Sequence, residues 1–228
     1  MEGSGPVVRR RRDREATRRR VLDAVVATVI DVGYYKASSN EIARRAGVSW
    51  GSIDHLFGSR EKLMLDVVND LGSQLEAGLA EAKVEGDTFE ERVESVFDAL
   101  AAHYDQHRFL VQMQILMELS SNPKMAARRG EAAHRPDVEE YDHLARPLFA
   151  HALGPLAAER DLVVYAFLAM RGYLTTMAFS RVIAGFHDAT VVRLMERHSD
   201  DAAVRRLLLS SITSTLRSEA ARRGYAIE

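Results

Sequence analysis

Two polar clusters near the N-terminus carry side chains suited to hydrogen-bond chemistry: Ser38, Ser39 and Asn40, then Ser49, Trp50, Gly51, Ser52, Asp54 and His55. Hydroxyls, an imidazole and free backbone N–H groups at helix starts suit phosphate oxygens. Asn40 can instead read a base edge. Asp54 repels phosphates but can accept from a cytosine amino group, or pair with a neighbouring Arg and never reach a base. Arg60 and Lys62 are candidates for backbone contact, although Lys62 can simply face solvent. The competing chemistry is metal binding. Glu131-x-x-His134 and Glu140-x-x-His143 have the spacing of carboxylate-bridged di-metal bundles, and His103 and His107, at i and i+4, could chelate one ion. The two Glu-x-x-His pairs lie nine residues apart in one segment broken by Pro136, whereas a di-metal site needs them on separate facing helices. The chain has no cysteine, which excludes thiol catalysis, disulfides and Cys-ligated metal. With no phosphate-cradling Gly loop and no nucleophile–base arrangement, neither a cofactor nor an enzymatic role is expected.

The elements that must hold these side chains are helical. Val21, Leu22, Val25, Val26, Val29 and Ile30 recur at helical spacing, predicting a helix from about Arg14 to Val32 with Gly33 as its stop. Ser38 to Glu41 has the form of a capping box and opens a short helix closed by Gly47. Ser49 caps a third helix, and Ser59 a fourth, longer one. Helix, short helix, turn and short helix within 58 residues make a helix-turn-helix pattern. Ala43, Ala46, Val48, Ile53 and Phe57 can form its small core. This leaves Ser49, Trp50, Ser52, Asp54 and His55 on the outer face of a helix narrow enough for the major groove. An αα-hairpin with no DNA role would need the same turn and core.

Charge separates the two readings. The whole chain carries 31 Lys plus Arg against 33 Asp plus Glu, a net −2 that speaks against nucleic acid. Residues 1–60 alone hold 12 basic and 7 acidic side chains, or +5, and residues 61–228 hold 19 and 26, or −7. A basic head sits on an acidic body. The positive charge is concentrated in Arg9–Arg12, Arg14 and Arg18–Arg20, a cluster able to neutralise phosphates and release counterions. Residues 1–12 read as a flexible basic arm, whose first eight residues have the composition of a solvated tail. No apolar run reaches the roughly 18 residues of a bilayer span, and no signal-peptide core is evident. A cytoplasmic chain with no membrane partner is expected.

Gly33-Tyr34, Ser38-Ser39, Ile42-Ala43, Ala46-Gly47-Val48-Ser49, Gly51-Ser52-Ile53, Phe57 and Ser59-Arg60-Glu61-Lys62-Leu63 together resemble the TetR family of bacterial transcriptional regulators. The resemblance implies an all-α fold of about nine to ten helices: a three-helix DNA-binding domain at 13–58 and a regulatory and dimerisation bundle at 59–228. It also implies a homodimer on a palindromic operator, most often a repressor, released by a small-molecule effector. Three positions depart from the pattern. Where Trp50 stands the family commonly has a basic or small polar residue, and at Asp54 and Leu56 an aromatic. Trp50 can pack on sugars or thymine methyls, or cover apolar surface of its own domain.

In the body, Tyr104, Phe109, Met113, Met117, Met125, Tyr141, Phe149 and Phe167 offer an aromatic and Met-rich lining for an apolar effector, or plain helix core. Arg171, inside a strongly apolar helix predicted at about 157–184, needs an acidic partner or awaits an anionic ligand group. Tyr173 and Met177 of that helix, with Leu208, Ile212 and Leu216 of the last one, are expected to build the dimer interface. The alternatives are a helical metal-binding enzyme using the residues above, or a dimeric adaptor that does not bind DNA.

Overall fold

The computed structural model describes residues 6–104, 107–121, 138–184 and 201–227, apart from the side chains of 6–11, 138–145, 181–184 and 201. Among the described residues are nine α-helices and no strand. They are α1 (Pro6–Val32), α2 (Ser39–Ala46), α3 (Trp50–Phe57), α4 (Arg60–Glu81), α5 (Phe89–Tyr104), α6 (His107–Ser121), α7 (Val138–Leu153), α8 (Arg160–Ala184) and α9 (Asp201–Arg223). A 3-10 turn, Gly154–Ala158, joins α7 to α8. The sequence predicts one helix opening at Asn122-Pro123 and a short one near Thr190 to Arg197; both, with Pro136, lie outside the described residues.

The described residues form two compact units, one of residues 6–74 with 107–121, the other of 75–104, 138–184 and 201–227. The chain therefore does not divide at residue 59, because part of α4 and all of α6 pack with the first three helices. In this head, Val21, Leu22, Val25 and Val29 of α1 close on Ile42, Ala43 and Ala46 of α2 and on Ile53 and Phe57 of α3. Leu63, Met64, Val67, Val68 and Leu71 of α4 and Val111, Ile115 and Leu119 of α6 complete the core. Polar contacts attach α6 to the same unit: Tyr35 donates to Glu118, Arg108 to Gln74, and Gln112 to the Val68 carbonyl.

The α2–α3 turn follows from Gly47. Its φ of 67° is left-handed, and the Val48 N–H returns to Ala43 O at 3.1 Å while the Gly47 N–H bonds Arg44 O at 3.2 Å, a Schellman closure. A Cβ at Gly47 would meet nothing within 4 Å. Gly47→Ala should thus cost only the left-handed backbone penalty, about 1–2 kcal/mol, read as a lower urea midpoint with an unchanged m-value; a loss much beyond this would place packing at the site.

α1 begins eight residues before the expected Arg14. Residues 6–12 are continuous with it and not a flexible arm: Pro6 occupies the first helical position, where its missing N–H costs nothing, and arginine is a good helix former.

In the second unit, Phe89, Val93, Val96, Phe97 and Leu100 of α5, Phe149 of α7, Val163, Phe167 and Met170 of α8, and Ile212 and Leu216 of α9 are buried. The capping box at the head of α5 is complete, with the Glu91 N–H on Thr88 Oγ1 and the Glu91 carboxylate taking the Thr88 and Asp87 N–H groups at 2.9 Å. Two arginines of α9 lie over α5 rings while pairing with its carboxylates. Arg205 sits 5.1 Å above Phe97 and bonds Glu94 and Asp98, and Arg217 sits 5.2 Å above Phe89 and bonds Glu90. α7 runs through Pro147.

One described helix does meet the length and hydropathy of a bilayer span, contrary to the reading of the sequence: residues 160–180 of α8, with a mean hydropathy of 1.4. Its contacts with α5, α7 and α9 and the presence of Arg171 at mid-length give it the character of a core helix.

Candidate nucleic-acid interface

Serines fix the starts of the two short helices. Ser38 Oγ accepts from the Glu41 N–H at 3.2 Å and Ser49 Oγ from the Ser52 N–H at 3.1 Å. Each cap satisfies the third N–H of its helix and leaves the first two, those of Ser39 and Asn40 and those of Trp50 and Gly51, without an intrahelical acceptor. Such groups are ready donors for anions. The capping box at Ser38 is only half made. Glu41 gives its carboxylate to Arg44, at 2.8 and 2.7 Å, and to Arg45, at 2.7 Å, and these guanidinium groups hold it down to about 2. The Ser38 N–H bonds Lys36 O instead.

The outer face of α3 and the early turns of α1 border one cleft of about 560 Å³, lined by Asp13, Arg14, Thr17, Ser49, Gly51, Ser52, His55 and Leu56. Ser49 and Ser52 hydroxyls lie 2.9 Å apart, so one proton is shared between them and the other is left to donate. Gly51 presents bare backbone. Four expected residues, Ser49, Gly51, Ser52 and His55, meet here, beside Asp13, Thr17 and Leu56, which the motif does not single out. Their signal was present in periodicity: Arg14 and Thr17 precede Val21 by seven and four positions, so they prolong the buried row of α1 past its apolar end.

The remaining expected residues fall into three kinds. Ser38, Ser39 and Asn40 stand at the start of α2, and Lys62 is exposed on α4. Asp54 is exposed and makes no ion pair among the described residues. Trp50 and Arg60 are turned inward. Trp50 is half-buried against the head's core, in the covering role. The Arg60 guanidinium donates to Tyr34 Oη at 3.2 Å, Tyr34 O at 3.3 Å and Ala37 O at 3.0 Å, and lies 4.8 Å over the Tyr34 ring. It clasps the α1–α2 turn. Two arginines of the basic run are likewise committed internally: Arg18 bonds Asp66 at 2.9 Å and lies over Phe57, and Arg19 bonds Asp70 at 2.7 Å.

Residues 21–67 match the family model of bacterial regulatory proteins of the tetR family. That segment is a TetR-family domain. The HTH-type transcriptional regulator BetI of Cronobacter sakazakii is 41% identical over 63 residues, which are 28% of this chain and 31% of BetI. The chain thus aligns with about a third of the length of such relatives. Two crystal structures share the fold of this chain over most of its length. NalD of Pseudomonas aeruginosa, the secondary repressor of the MexAB-OprM multidrug efflux pump, has a TM-score of 0.51 at 19% identity, covering 89% of this chain and 96% of NalD. The transcriptional regulator FadR of Bacillus subtilis, in complex with stearoyl-CoA, has a TM-score of 0.51 at 18% identity, covering 85% of this chain and 96% of FadR.

The expected pocket residues are divided between the units. Phe109, Met113 and Met117 lie on α6 in the head, Phe109 buried and Met117 53% exposed. Tyr104, Phe149 and Phe167 are buried in the second unit, where Arg171 stands 5.9 Å over the Phe167 ring. Burial, and then the charge of Arg171, pushes the His103 imidazole below its ordinary value. Met125 and the Tyr141 side chain are outside the described residues.

Of the expected dimer residues, Ile212 and Leu216 are 1% and 0% exposed within the single chain, so they are intrachain core and have no surface left for a partner. Tyr173 packs on Phe97 at 5.9 Å, and Met177 and Leu208 are half-exposed. His103 and His107 belong to different helices, α5 and α6, so they are not the one-turn pair that the spacing implied. Glu131 and His134 lie outside the described residues, as do the side chains of Glu140 and His143.

Proposed function

We propose that this chain is a ligand-responsive transcriptional repressor of the bacterial cytoplasm. It binds a palindromic operator as a homodimer and is released by a small, largely apolar effector. The observation that carries this is the cleft beside α3, where hydroxyl donors, an imidazole, bare backbone at Gly51 and the Arg14 guanidinium lie together on the head of a TetR-family domain. That is a set for phosphate and base-edge contact. The match to regulators such as BetI, and the fold shared with a repressor and with a regulator bound to an acyl-CoA, support the same reading. Ser38, Ser39 and Asn40 serve the DNA backbone, and Asp54 accepts from a cytosine amino group. The dimer surface lies on α8 and α9, where Leu168, Leu207 and Val204 are exposed, beside Met177 and Leu208. Two recognition helices about 34–36 Å apart then meet successive major grooves.

Release by effector requires unequal affinity for DNA-competent and incompetent arrangements. α4 is the natural lever, because one helix supplies core residues to the head and continues into the second unit.

Selection from a randomised duplex pool tests the proposal. The full chain should enrich a palindrome, whereas equal, weak affinity for every duplex at low salt would sink it. Asp54→Ala should alter the preferred base at one position of each half-site by about 1–3 kcal/mol of discrimination, with affinity for random duplex unchanged or slightly raised.

A further inference from the structure

α4 carries a weak point at the edge of the head. Gly72 and Ser73 stand side by side within it, a pair at which helices commonly bend, and glycine is the poorest helix former after proline. Packing does not call for glycine here: a Cβ on Gly72 would meet Gln112 Nε2 at 3.8 Å, an ordinary contact, and nothing closer. Two residues later the head ends. Gln74 is its last residue on α4, and the chain re-enters the head at His107, the first residue of α6.

A line of side chains spans this point. Asp70 and Gln74, one turn apart, share a face of α4 on either side of Gly72 and Ser73, and Gln74 Nε2 donates to Asp70 Oδ2 at 2.6 Å. From α1, Arg19 donates to Asp70 Oδ1 at 2.7 Å; from α6, Arg108 donates to Gln74 Oε1 at 2.5 Å. All four side chains belong to the head, so α1, α4 and α6 are joined within one unit. The residue type at 74 follows from its neighbours. An amide gives a proton to a carboxylate and takes one from a guanidinium at the same time, whereas glutamate would face Asp70 as a like charge and lysine would face Arg108. Arg18, beside Arg19, bonds Asp66 and lies 5.0 Å over Phe57, the last residue of α3. The turn of α1 that anchors the line therefore also rests on the recognition helix.

We infer that Gln74 is a positioning residue for operator binding: Arg19, Asp70, Gln74 and Arg108 form a clasp that holds the Gly72-Ser73 joint at one setting, and so fixes the spacing at which the two heads of a dimer meet DNA. The inference rests on the DNA-binding reading above and adds to it a device for half-site spacing. With the clasp closed, the direction in which α4 leaves the head is set. With it open, α4 keeps its core residues but can bend at the joint. Each head then reads its half-site as before, whereas two heads on one duplex lose their fixed separation.

The test uses the full chain and Gln74→Leu, which removes both amide bonds and keeps helix propensity. The duplexes carry the palindrome selected by the wild type, the same palindrome with one central base pair added or removed, or a single half-site. One base pair turns the half-sites by about 35° relative to each other. The wild type should prefer the selected spacing by about 10-fold or more, and Gln74→Leu should reduce this to about 3-fold or less, with affinity for the single half-site within about 2-fold of wild type. Hydrogen exchange in the free protein reads the joint without DNA. The amides of residues 73–77, whose helical bonds cross it, should exchange faster in Gln74→Leu and slower in Gly72→Ala. Combining Gly72→Ala with Gln74→Leu should recover most of the spacing preference, because the stiffer helix replaces the clasp. An unchanged spacing preference in Gln74→Leu overturns the positioning role, whatever exchange shows. Equal loss on the palindrome and the single half-site overturns it too, by placing Gln74 in the support of α3. Unchanged exchange at 73–77 sinks the clasp independently of DNA, whereas a wild type that enriches no palindrome sinks the DNA-binding reading itself and the positioning role with it.

Discussion

Arg60→Ala is expected to destabilise the head by roughly 2–3 kcal/mol and to weaken binding to specific and random DNA in proportion, with the salt slope unchanged. The guanidinium holds Tyr34 O, Ala37 O and Tyr34 Oη and lies over the Tyr34 ring. Its loss strips one residue of several bonds from a charged donor. Ala37 is fully buried, so its carbonyl would also lose a partner that water cannot readily replace. A phosphate-binding arginine behaves otherwise: its removal shallows the salt slope by about 1 and leaves stability alone. Arg60→Lys separates the two roles further. Lysine restores a phosphate contact, but a single ammonium cannot bridge carbonyls and a ring at once. Urea melts and salt titrations of both variants decide between them, and rescue by Lys with a shallow slope in Ala would return Arg60 to the DNA.

The same residue shows where sequence reasoning stops. The Ser-Arg-Glu-Lys-Leu run marks Arg60 as part of a DNA-binding pattern, but its partners are backbone carbonyls, which leave no trace in residue type. α6 makes the point with apolar residues. Met113 and Met117 lie on one i, i+4 row and Val111, Ile115 and Leu119 on another. Periodicity predicts a helix from either row, and only the packed fold shows that the second closes the head's core while Met117 is exposed. Ile212 and Leu216 were assigned to a partner chain because α9 is apolar. Apolarity reports that a side chain is buried, however, and not what buries it. The helical start of residues 6–12 was hidden for the opposite reason: a run of arginines has no apolar period to read. What was legible were the features set locally. The serine caps at Ser38 and Ser49, the Gly47 turn and the stripe from Val21 to Val29 all appear as their spacing implies, because caps and turns are decided within a few residues.

Gly51 offers the sharpest separation of stability from function. It is the second residue of α3, and the Cβ of a substitution would meet only Ser49 Oγ, at 3.8 Å. Nothing in the fold requires glycine there, and a helical glycine costs backbone entropy. Gly51→Leu should therefore leave the head as stable or raise its stability by about 0.5 kcal/mol. Gly51 nonetheless lines the cleft beside Ser49, Ser52 and His55, and its own N–H is one of the two that the Ser49 cap leaves unpaired. If a DNA strand closes on that N–H, a leucine side chain pushes the strand away and removes the neighbouring contacts with it. Affinity should then fall on the order of 10²-fold, or close to 3 kcal/mol, for specific and random duplexes alike. Gly51→Ala should lie between, because a single methyl displaces less. A gain in stability with a loss of binding cannot come from damage to the fold, so the sign of the two effects carries the test. Leucine tolerated at wild-type affinity would mean that DNA does not approach this face of α3.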